Sequence, residues 1–351
     1  MDGLDYSQQR DSGSLKVTPI SLSEGGEHVY AAKYSPEGEY LAVTFANGVV
    51  RVLNTTTYAS LHRGRLGPGF DDLPSTAVKW RPRSTNLDAS GDEADFHTQM
   101  LATVSAAGGV FGFAIDSTPG SVAFDRVWKC PEQGNDTAAL DFSPGGEILA
   151  TAGQDRTVRL YDMNTRQLKE SLTRGVDDAG HHRPAHTNRI FCVRFLTPQT
   201  LLTAGWENPI QIWDLRTGCA ERTIAGPQVC SDSVEVVASQ GKILVANNRN
   251  TRQIQVFDYV SCREIVQEGD KLSRSIGGSH LSQVRVAHGL LWAIASKPDR
   301  LLCIDAATGD LRGSVDDFGH LLLCAEASDA TPGRCVVGGF KQNLYVVDAQ
   351  L

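Results

Sequence analysis

The densest group of residues that could do chemistry is the segment DDAGHHRPAH, residues 177–186. It contains Asp177, Asp178, His181, His182 and His186, and zinc and similar ions accept imidazole and carboxylate groups as ligands. The spacing matches no standard metal motif, and a run of histidines is only compositional evidence for a metal site. We therefore predict no bound metal and no cofactor, and we keep a metal-binding protein as an alternative.

Motifs of the common enzyme classes are absent from the sequence. It contains no phosphate-binding glycine loop, no G-x-S-x-G nucleophile elbow and no H-E-x-x-H zinc motif. Asp and Glu number 41, but none of them forms a convincing catalytic pair. The sequence therefore predicts a protein that is not an enzyme, with no catalytic residues. An enzyme stays an alternative beside the metal-binding protein.

Composition limits the other classes of function. The 351 residues carry 33 Lys and Arg against 41 Asp and Glu, a net charge of −8, which disfavours non-specific nucleic-acid binding. No apolar run approaches the roughly 18 residues of a membrane helix, and the polar N-terminus predicts no secretory signal. Eight cysteines without a CxxC pair predict reduced thiols. We expect a cytoplasmic protein, with the nucleus or the cilium and cytoskeleton as alternatives.

One unit recurs along the chain. Its clearest copies, residues 136–172 and 188–224, each read as four short strands with apolar alternation, separated by turn residues. Both copies run from an apolar strand through a proline-containing turn to an alternating strand that ends in Tyr161-Asp162 or Trp213-Asp214. This unit resembles the WD-repeat β-propeller family. Weaker copies fill the chain, and the seven repeats span about 28–61, 75–128, 136–172, 188–224, 230–266, 282–315 and 318–351.

The resemblance predicts an all-β fold, a single seven-bladed β-propeller of four-stranded antiparallel blades in one domain, residues 14–351. The last copy ends after its third strand, and residues 15–22 precede the first copy without a partner. We therefore expect the N-terminal strand to complete the last blade and close the ring, which removes open sheet edges. Residues 1–13 are expected to form a flexible tail.

In the family that the chain resembles, a blade often holds a buried tetrad of His, Ser or Thr, Asp and Trp. The resemblance assigns this structural role to His186, Thr203 and Trp213, with Glu207 in the place of Asp, and to Asp155 in the preceding copy. The same stretch carries WDLR, whose Trp213, Asp214 and Arg216 match the motif by which some WD-repeat proteins dock the adaptor of cullin-4 ubiquitin ligases. A ligase substrate receptor is therefore an alternative function.

The propeller resemblance also predicts where a partner binds. Connections between blades and the turns between second and third strands share one face, and three connections, 62–75, 173–187 and 267–281, are long. On that face we expect partner-binding residues, namely Trp206, Phe340, Arg189, Gln154, Asn250, Lys297 and Arg249. The polar insertion 83–99 lies on the other face.

The leading hypothesis is a non-catalytic scaffold for protein–protein interaction. It would bind one or more proteins or peptides on the long-loop face, as a monomer within a larger assembly, without inserting into a membrane.

Overall fold

The fold is described from a computed structural model, which describes residues 10–12, 15–22, 28–83, 98–116, 123–177, 179–206, 209–266, 280–296, 299–316, 318–340 and 343–350. Glu207, Lys297, Asp178, most of the insertion 83–99 and residues 267–279 of the third long connection lie outside these ranges.

Strands that are neighbours in sequence pair antiparallel into seven sheets, which form the blades of a ring. The N-terminal strands are β1 (Arg10–Ser12) and β2 (Leu15–Ser21). Blade one holds β3 (Val29–Tyr34), β4 (Tyr40–Phe45), β5 (Val49–Asn54) and β6 (Ser60–Arg65). Blade two holds β7 (Ser75–Trp80), β8 (Thr98–Ser105), β9 (Gly109–Asp116) and β10 (Phe124–Pro131). Blade three holds β11 (Thr137–Phe142), β12 (Ile148–Gly153), β13 (Val158–Asp162) and β14 (Gln167–Leu172).

Blade four holds the hairpin β15 (Arg174–Val176) and β16 (His182–Pro184) with β17 (Ile190–Thr197), β18 (Thr200–Gly205), β19 (Ile210–Asp214) and β20 (Cys219–Ile224). Blade five holds β21 (Val234–Val237), β22 (Lys242–Ala246), β23 (Ile254–Asp258) and the 3₁₀ turn Ala238–Gln240. Blade six holds β24 (His280–Ala287), β25 (Leu290–Ser296), β26 (Arg300–Asp305) and β27 (Leu311–Asp316). Blade seven holds β28 (Leu322–Ala327), β29 (Arg334–Gly339) and β30 (Asn343–Ala349).

The N-terminal strand closes the ring, as the sequence predicted. Strand β2 pairs with β30 over its whole length, from Leu15 opposite Ala349 to Ser21 opposite Asn343. Strand β1 then adds to the outer edge of β2. The flexible tail predicted for residues 1–13 is therefore too long, because residues 10–12 form a strand, while residues 1–9 lie outside the described ranges.

Two blades depart from the four-stranded pattern. In blade five, among the described residues, the fourth strand is reduced to a bridge between Glu264 and Phe257. In blade four, β15 adds parallel to the outer strand β20. The long connection 173–187 therefore forms a hairpin at the outer edge of this blade, not at the channel rim where the sequence analysis placed it.

The apolar core consists of seven clusters, one at each interface between neighbouring blades. For example, Leu41, Val346 and Leu344 join blades one and seven, and Leu160 and Trp213 join blades three and four. Trp213 and Trp292 are almost completely buried between sheets. Because each blade contributes to two clusters, apolar burial couples every blade to both of its neighbours.

In six of the seven blades, the register between the first and second strands shifts near the start of the first strand. Such a β-bulge leaves one residue unpaired and re-aims its side chain. The unpaired residues are Tyr30, Thr76, Ala138, Phe191, Ser282 and Leu323. The repeated bulge therefore determines which side chains the inner strands present at their first turn.

Candidate functional site: the channel face and the axial cavity

The inner strands enclose a cavity of about 390 Å³ on the propeller axis. Five of the six bulge residues line it, and these are Tyr30, Thr76, Ala138, Phe191 and Leu323. Small residues such as Ala77, Ala106 and Ala325 form much of the remaining wall. A concave site of this size with a few polar groups is what ligand-binding pockets typically offer.

A ring of charged side chains lies deeper on the axis. Arg285 is almost fully buried and contacts Asp232 at 2.6 Å, Glu326 at 3.2 Å and Glu235 at 3.7 Å. Asp232 also accepts a hydrogen bond from Arg194 at 2.5 Å. Burial raises the pKa of Asp232, but the two guanidinium groups outweigh it and hold that pKa well below its usual range. These ion pairs connect blades four to seven across the channel.

The ring continues through blades one to three with two lysines. Lys33 forms an ion pair with Glu326, and Lys79 lies 3.2 Å from Asp141. Burial, and then Arg285, lower the pKa of Lys33 to about 8. Buried charges are tolerated when they are paired, and each charge of this ring has an opposite charge beside it.

Sequence reasoning missed this ring, although a signal is present. Each inner strand has one charged residue among apolar ones, followed in four copies by an aromatic residue, as in Lys33-Tyr34 and Asp141-Phe142. Aligning the copies on that position would have placed the charges at one level of the channel.

The turns between second and third strands lie beside the entries to the first strands. The backbone N–H groups of Ala46, Ala106, Gln154, Trp206 and Phe340 donate to the carbonyls of His28, Pro74, Asp136, Arg189 and Leu321, respectively. These turns therefore share the end of the blades at which the bulge residues line the cavity. We call this end the channel face.

Trp206 is the most exposed aromatic side chain of the channel face, with 67% of its surface accessible. Its ring contacts Phe191, with centroids 5.7 Å apart. The Arg189 guanidinium lies 5.8 Å from the Phe191 centroid, forms an ion pair with Asp136 and donates to Gln154 at 2.8 Å. We call this contiguous group the Trp206 patch; it consists of Trp206, Phe191, Arg189, Asp136 and Gln154. Phe191 connects the patch to the axial cavity, which it also lines.

Phe340 and Arg249, two other predicted partner-binding residues, make contacts outside this patch. Phe340 is half-buried and contacts His28 at a centroid distance of 4.2 Å. Arg249 donates to Gln255 at 2.5 Å and to the Gly226 carbonyl at 3.2 Å, so its guanidinium is bound within its own region. Asn250 is exposed.

The histidine-rich segment forms the turn of the β15–β16 hairpin. In this turn His181 Nδ1 lies 3.3 Å from Asp177 Oδ2, and both side chains are exposed. Within the described part of the chain, no group of three or more His, Cys, Asp and Glu could hold a metal ion. His186 lies apart from this turn and is buried.

His186 instead belongs to a hydrogen-bond network inside blade four. Its Nε2 lies 2.6 Å from Thr203 Oγ1, and Trp213 Nε1 donates to the same oxygen at 2.7 Å. The network thus contains three of the four side chains that the resemblance assigned to it.

Blade three holds a different network, which the sequence analysis did not find. Glu132 is buried and accepts hydrogen bonds from Thr151 at 2.5 Å, Tyr161 at 2.8 Å and Thr137 at 2.8 Å. Burial, and then Glu132, raise the pKa of Tyr161 far above its usual range. Glu132 precedes the first strand, as His186 does in the next copy, so the repeat alignment contained the signal.

Asp155 and the closing aspartates have local turn contacts. Asp155 accepts from Thr157 N and forms an ion pair with Arg159 at 2.5 Å. Asp214 accepts from the backbone N–H of Arg216 and from its guanidinium, which lowers the pKa of Asp214 to about 2. The Arg216 side chain is 69% exposed. Asp162 and Asp305 accept two backbone N–H groups each in the same way, a contact that favours turns.

The seven sheets form a β-propeller with an amphipathic axial cavity. Comparison with known proteins agrees with this fold. Residues 127–162 match the family model described as "WD domain, G-beta repeat". Over 215 residues the chain is 24% identical to actin-interacting protein 1 of Drosophila melanogaster, covering 54% of this chain and 34% of that protein. Over 98 residues it is 24% identical to guanine nucleotide-binding protein subunit beta-1 of Caenorhabditis briggsae, covering 28% and 27%.

A third relative, the guanine nucleotide-binding protein subunit beta of Lymnaea stagnalis, is 22% identical over 102 residues, covering 29% of this chain and 28% of that protein. The chain spans about a third or less of the length of these relatives. Fold and matches confirm the resemblance to the WD-repeat β-propeller family. No helix among the described residues is long and apolar enough to cross a membrane.

Proposed function

We propose that this chain is a non-catalytic scaffold that binds another protein through its channel face, with Trp206 as the main anchor. The observation that carries the proposal is the exposure of Trp206, at 67%, on a turn fixed by the backbone bond to Arg189. A rigid aromatic side chain loses little conformational freedom on binding, and such residues are enriched among binding hot spots. The surrounding Trp206 patch adds an aromatic ring and a paired Arg–Asp couple, which would form a polar rim.

The test is affinity purification of the tagged full chain from cells, followed by quantitative mass spectrometry, for wild type, Trp206→Ala and Val260→Ala. Val260 is the matched control, because it is equally exposed, at 66%, in the turn that follows β23 at the opposite end of its blade. Truncating a hot-spot anchor costs 2 kcal/mol or more, roughly thirtyfold in affinity. We expect the main partner to be depleted by Trp206→Ala alone, with an unchanged melting temperature. Equal recovery by all three proteins would refute the proposal.

The ligase-receptor alternative concerns a different surface. Trp213 is fully buried, so Arg216 is the exposed member of the WDLR motif. Direct binding of the cullin-4 adaptor that is lost in Arg216→Ala would support this alternative over the channel-face scaffold. Residence in the cytoplasm belongs to the same proposal, and imaging of the tagged chain tests it.

A further inference from the structure

The charges that face the axial cavity are unequal in number. Two carboxylates, Asp136 and Asp232, face five cations, which are Lys33, Lys79, Arg189, Arg194 and Arg285. The other carboxylates of the ring, Asp141, Glu235 and Glu326, reach these cations but do not line this cavity. The cavity thus presents cationic groups to a ligand, with the compensating carboxylates behind them.

Of the two lysines that line the cavity, Lys79 has the more exposed side chain. Its side chain is 22% exposed, and among the described residues its ion-pair partner is Asp141 at 3.2 Å. A lysine ammonium has three donors. Arg285, in contrast, uses its guanidinium on Asp232, Glu326 and the Val284 carbonyl. Lys79, like Lys33, also lines a second, smaller cavity, so both lysines lie where the two spaces meet.

The wall above Lys79 leaves room for a side chain to reach it. The bulge residues of blades two and three are Thr76 and Ala138, and Ala77 and Ala106 complete that side of the cavity. A volume of about 390 Å³ is within the range of pockets that bind small ligands, roughly 300–1,000 Å³. At the mouth of the cavity, Phe191 and Tyr30 offer apolar surface that a bound peptide segment could contact.

We propose that the axial cavity receives a glutamate or aspartate side chain from an extended segment of the partner protein, with its carboxylate accepting hydrogen bonds from the Lys79 ammonium. This inference rests on the proposed function, because the same partner would contact the Trp206 patch at the cavity mouth. The cationic lining and the donors of Lys79 favour an acidic side chain over a basic one, and the small wall residues leave room for it.

Isothermal titration calorimetry with purified full chain tests this directly. The probe is the acetylated and amidated pentapeptide Ala-Leu-Glu-Leu-Ala, whose only charge is the central carboxylate, beside its Gln and phosphoserine analogues. We expect the Glu peptide to bind at least tenfold more tightly than the Gln peptide, about 1.4 kcal/mol, and this preference to shrink with added salt.

Two protein variants locate the site. Lys79→Met should abolish the preference for Glu over Gln, and Lys79→Arg should restore it. Ala138→Leu fills the cavity and keeps every charge, so it should weaken the Glu peptide at least tenfold, whereas Ala59→Leu, an exposed position in the turn between β5 and β6, should not. Melting curves identify any variant that fails to fold, and the other variant then decides.

Equal binding of the Glu and Gln peptides, binding of the phosphoserine peptide alone, or unchanged binding by Ala138→Leu would overturn the inference. Recovery of a Trp206-dependent partner from cells would leave the proposed scaffold function standing in each of those cases. Conversely, a Glu-selective cavity without any Trp206-dependent partner would refute the proposed anchor and retain the acidic site.

Discussion

Ring closure by β2 gives the sharpest stability prediction, and Leu15→Ala is the perturbation that tests it. Leu15 is 1% exposed and packs in the cluster between blades six and seven with Trp292 and Tyr345. Truncating a buried leucine to alanine costs about 2–5 kcal/mol, because the lost transfer free energy adds to that of the cavity left behind. Lys16, the next residue, is exposed and faces the other way, so Lys16→Ala should cost less than about 0.5 kcal/mol.

The assay is urea unfolding followed by tryptophan fluorescence, with the midpoint and slope compared between the two variants and wild type. Deleting residues 1–22 should have a larger effect, since Leu15, Val17 and Leu22 are all buried and contribute about 1.5–3 kcal/mol each. That sum is comparable to the whole stability of a typical domain, about 5–15 kcal/mol. Deleting residues 1–9 is the control. Identical midpoints for Leu15→Ala and Lys16→Ala would refute the closure argument.

Four further predictions concern buried polar groups. Glu132→Ala should destabilise the chain by roughly 3 kcal/mol, because three buried hydroxyl groups lose their acceptor, and calorimetry would measure it. Thr203→Val should cost about 2 kcal/mol, since His186 and Trp213 lose the same hydroxyl oxygen. The pKa of Lys33 is lowered from 10.5 to about 8, so the unfolded chain binds more protons than the folded chain between these pH values. The contribution of Lys33 to the free energy of unfolding therefore rises with pH in this window, and Lys33→Met should remove that rise in urea unfolding measured across it. Burial raises the pKa of four thiols, so at pH 8 iodoacetamide should modify them slowly in the native chain; these are Cys192, Cys303, Cys324 and Cys335. After denaturation without reductant, mass spectrometry should find eight free thiols.

The repeat pattern was sufficient to predict the fold, because each copy carries its own alternation and turn residues. The boundaries of blades one, three and four differ from the observed strands by only a few residues. Blade five shows the limit of this reasoning. Its fourth strand was predicted from the spacing of the copies, but the described residues contain only the bridge at Glu264. The spacing of the repeats shows that there are enough residues for a fourth strand. Whether those residues form a strand depends on whether their backbone groups reach the neighbouring strand.

The candidate site was only partly predictable. Trp206 was singled out because an aromatic residue in a tight turn is unusual, and that signal is local in sequence; its role in binding stays a prediction. Phe191 and the charged ring were missed because their relation to one another arises from the closed ring, across residues as distant as Lys33 and Glu326. The predicted position of the connection 173–187 was wrong for a similar reason. Its strand β15 pairs with β20, and this tertiary contact is not specified by any local pattern in residues 173–187.

The two ends of the blades differ in how freely their residues can vary. At the end opposite the channel face, the closing Asp162, Asp214 and Asp305 are engaged by backbone N–H groups of their own turns, so these turns constrain the residue type. At the channel face, the bulge positions need no particular side chain for backbone pairing, because a bulge leaves its extra residue out of the ladder. Residues as different as Tyr30, Ala138 and Phe191 therefore occupy equivalent positions without disturbing the blade. If the proposed function holds, substitutions at Tyr30, Ala138 and Phe191 should therefore change the choice of partner at little cost to stability, whereas Thr76 is constrained by its hydrogen bonds to the Thr137 and Val104 carbonyls.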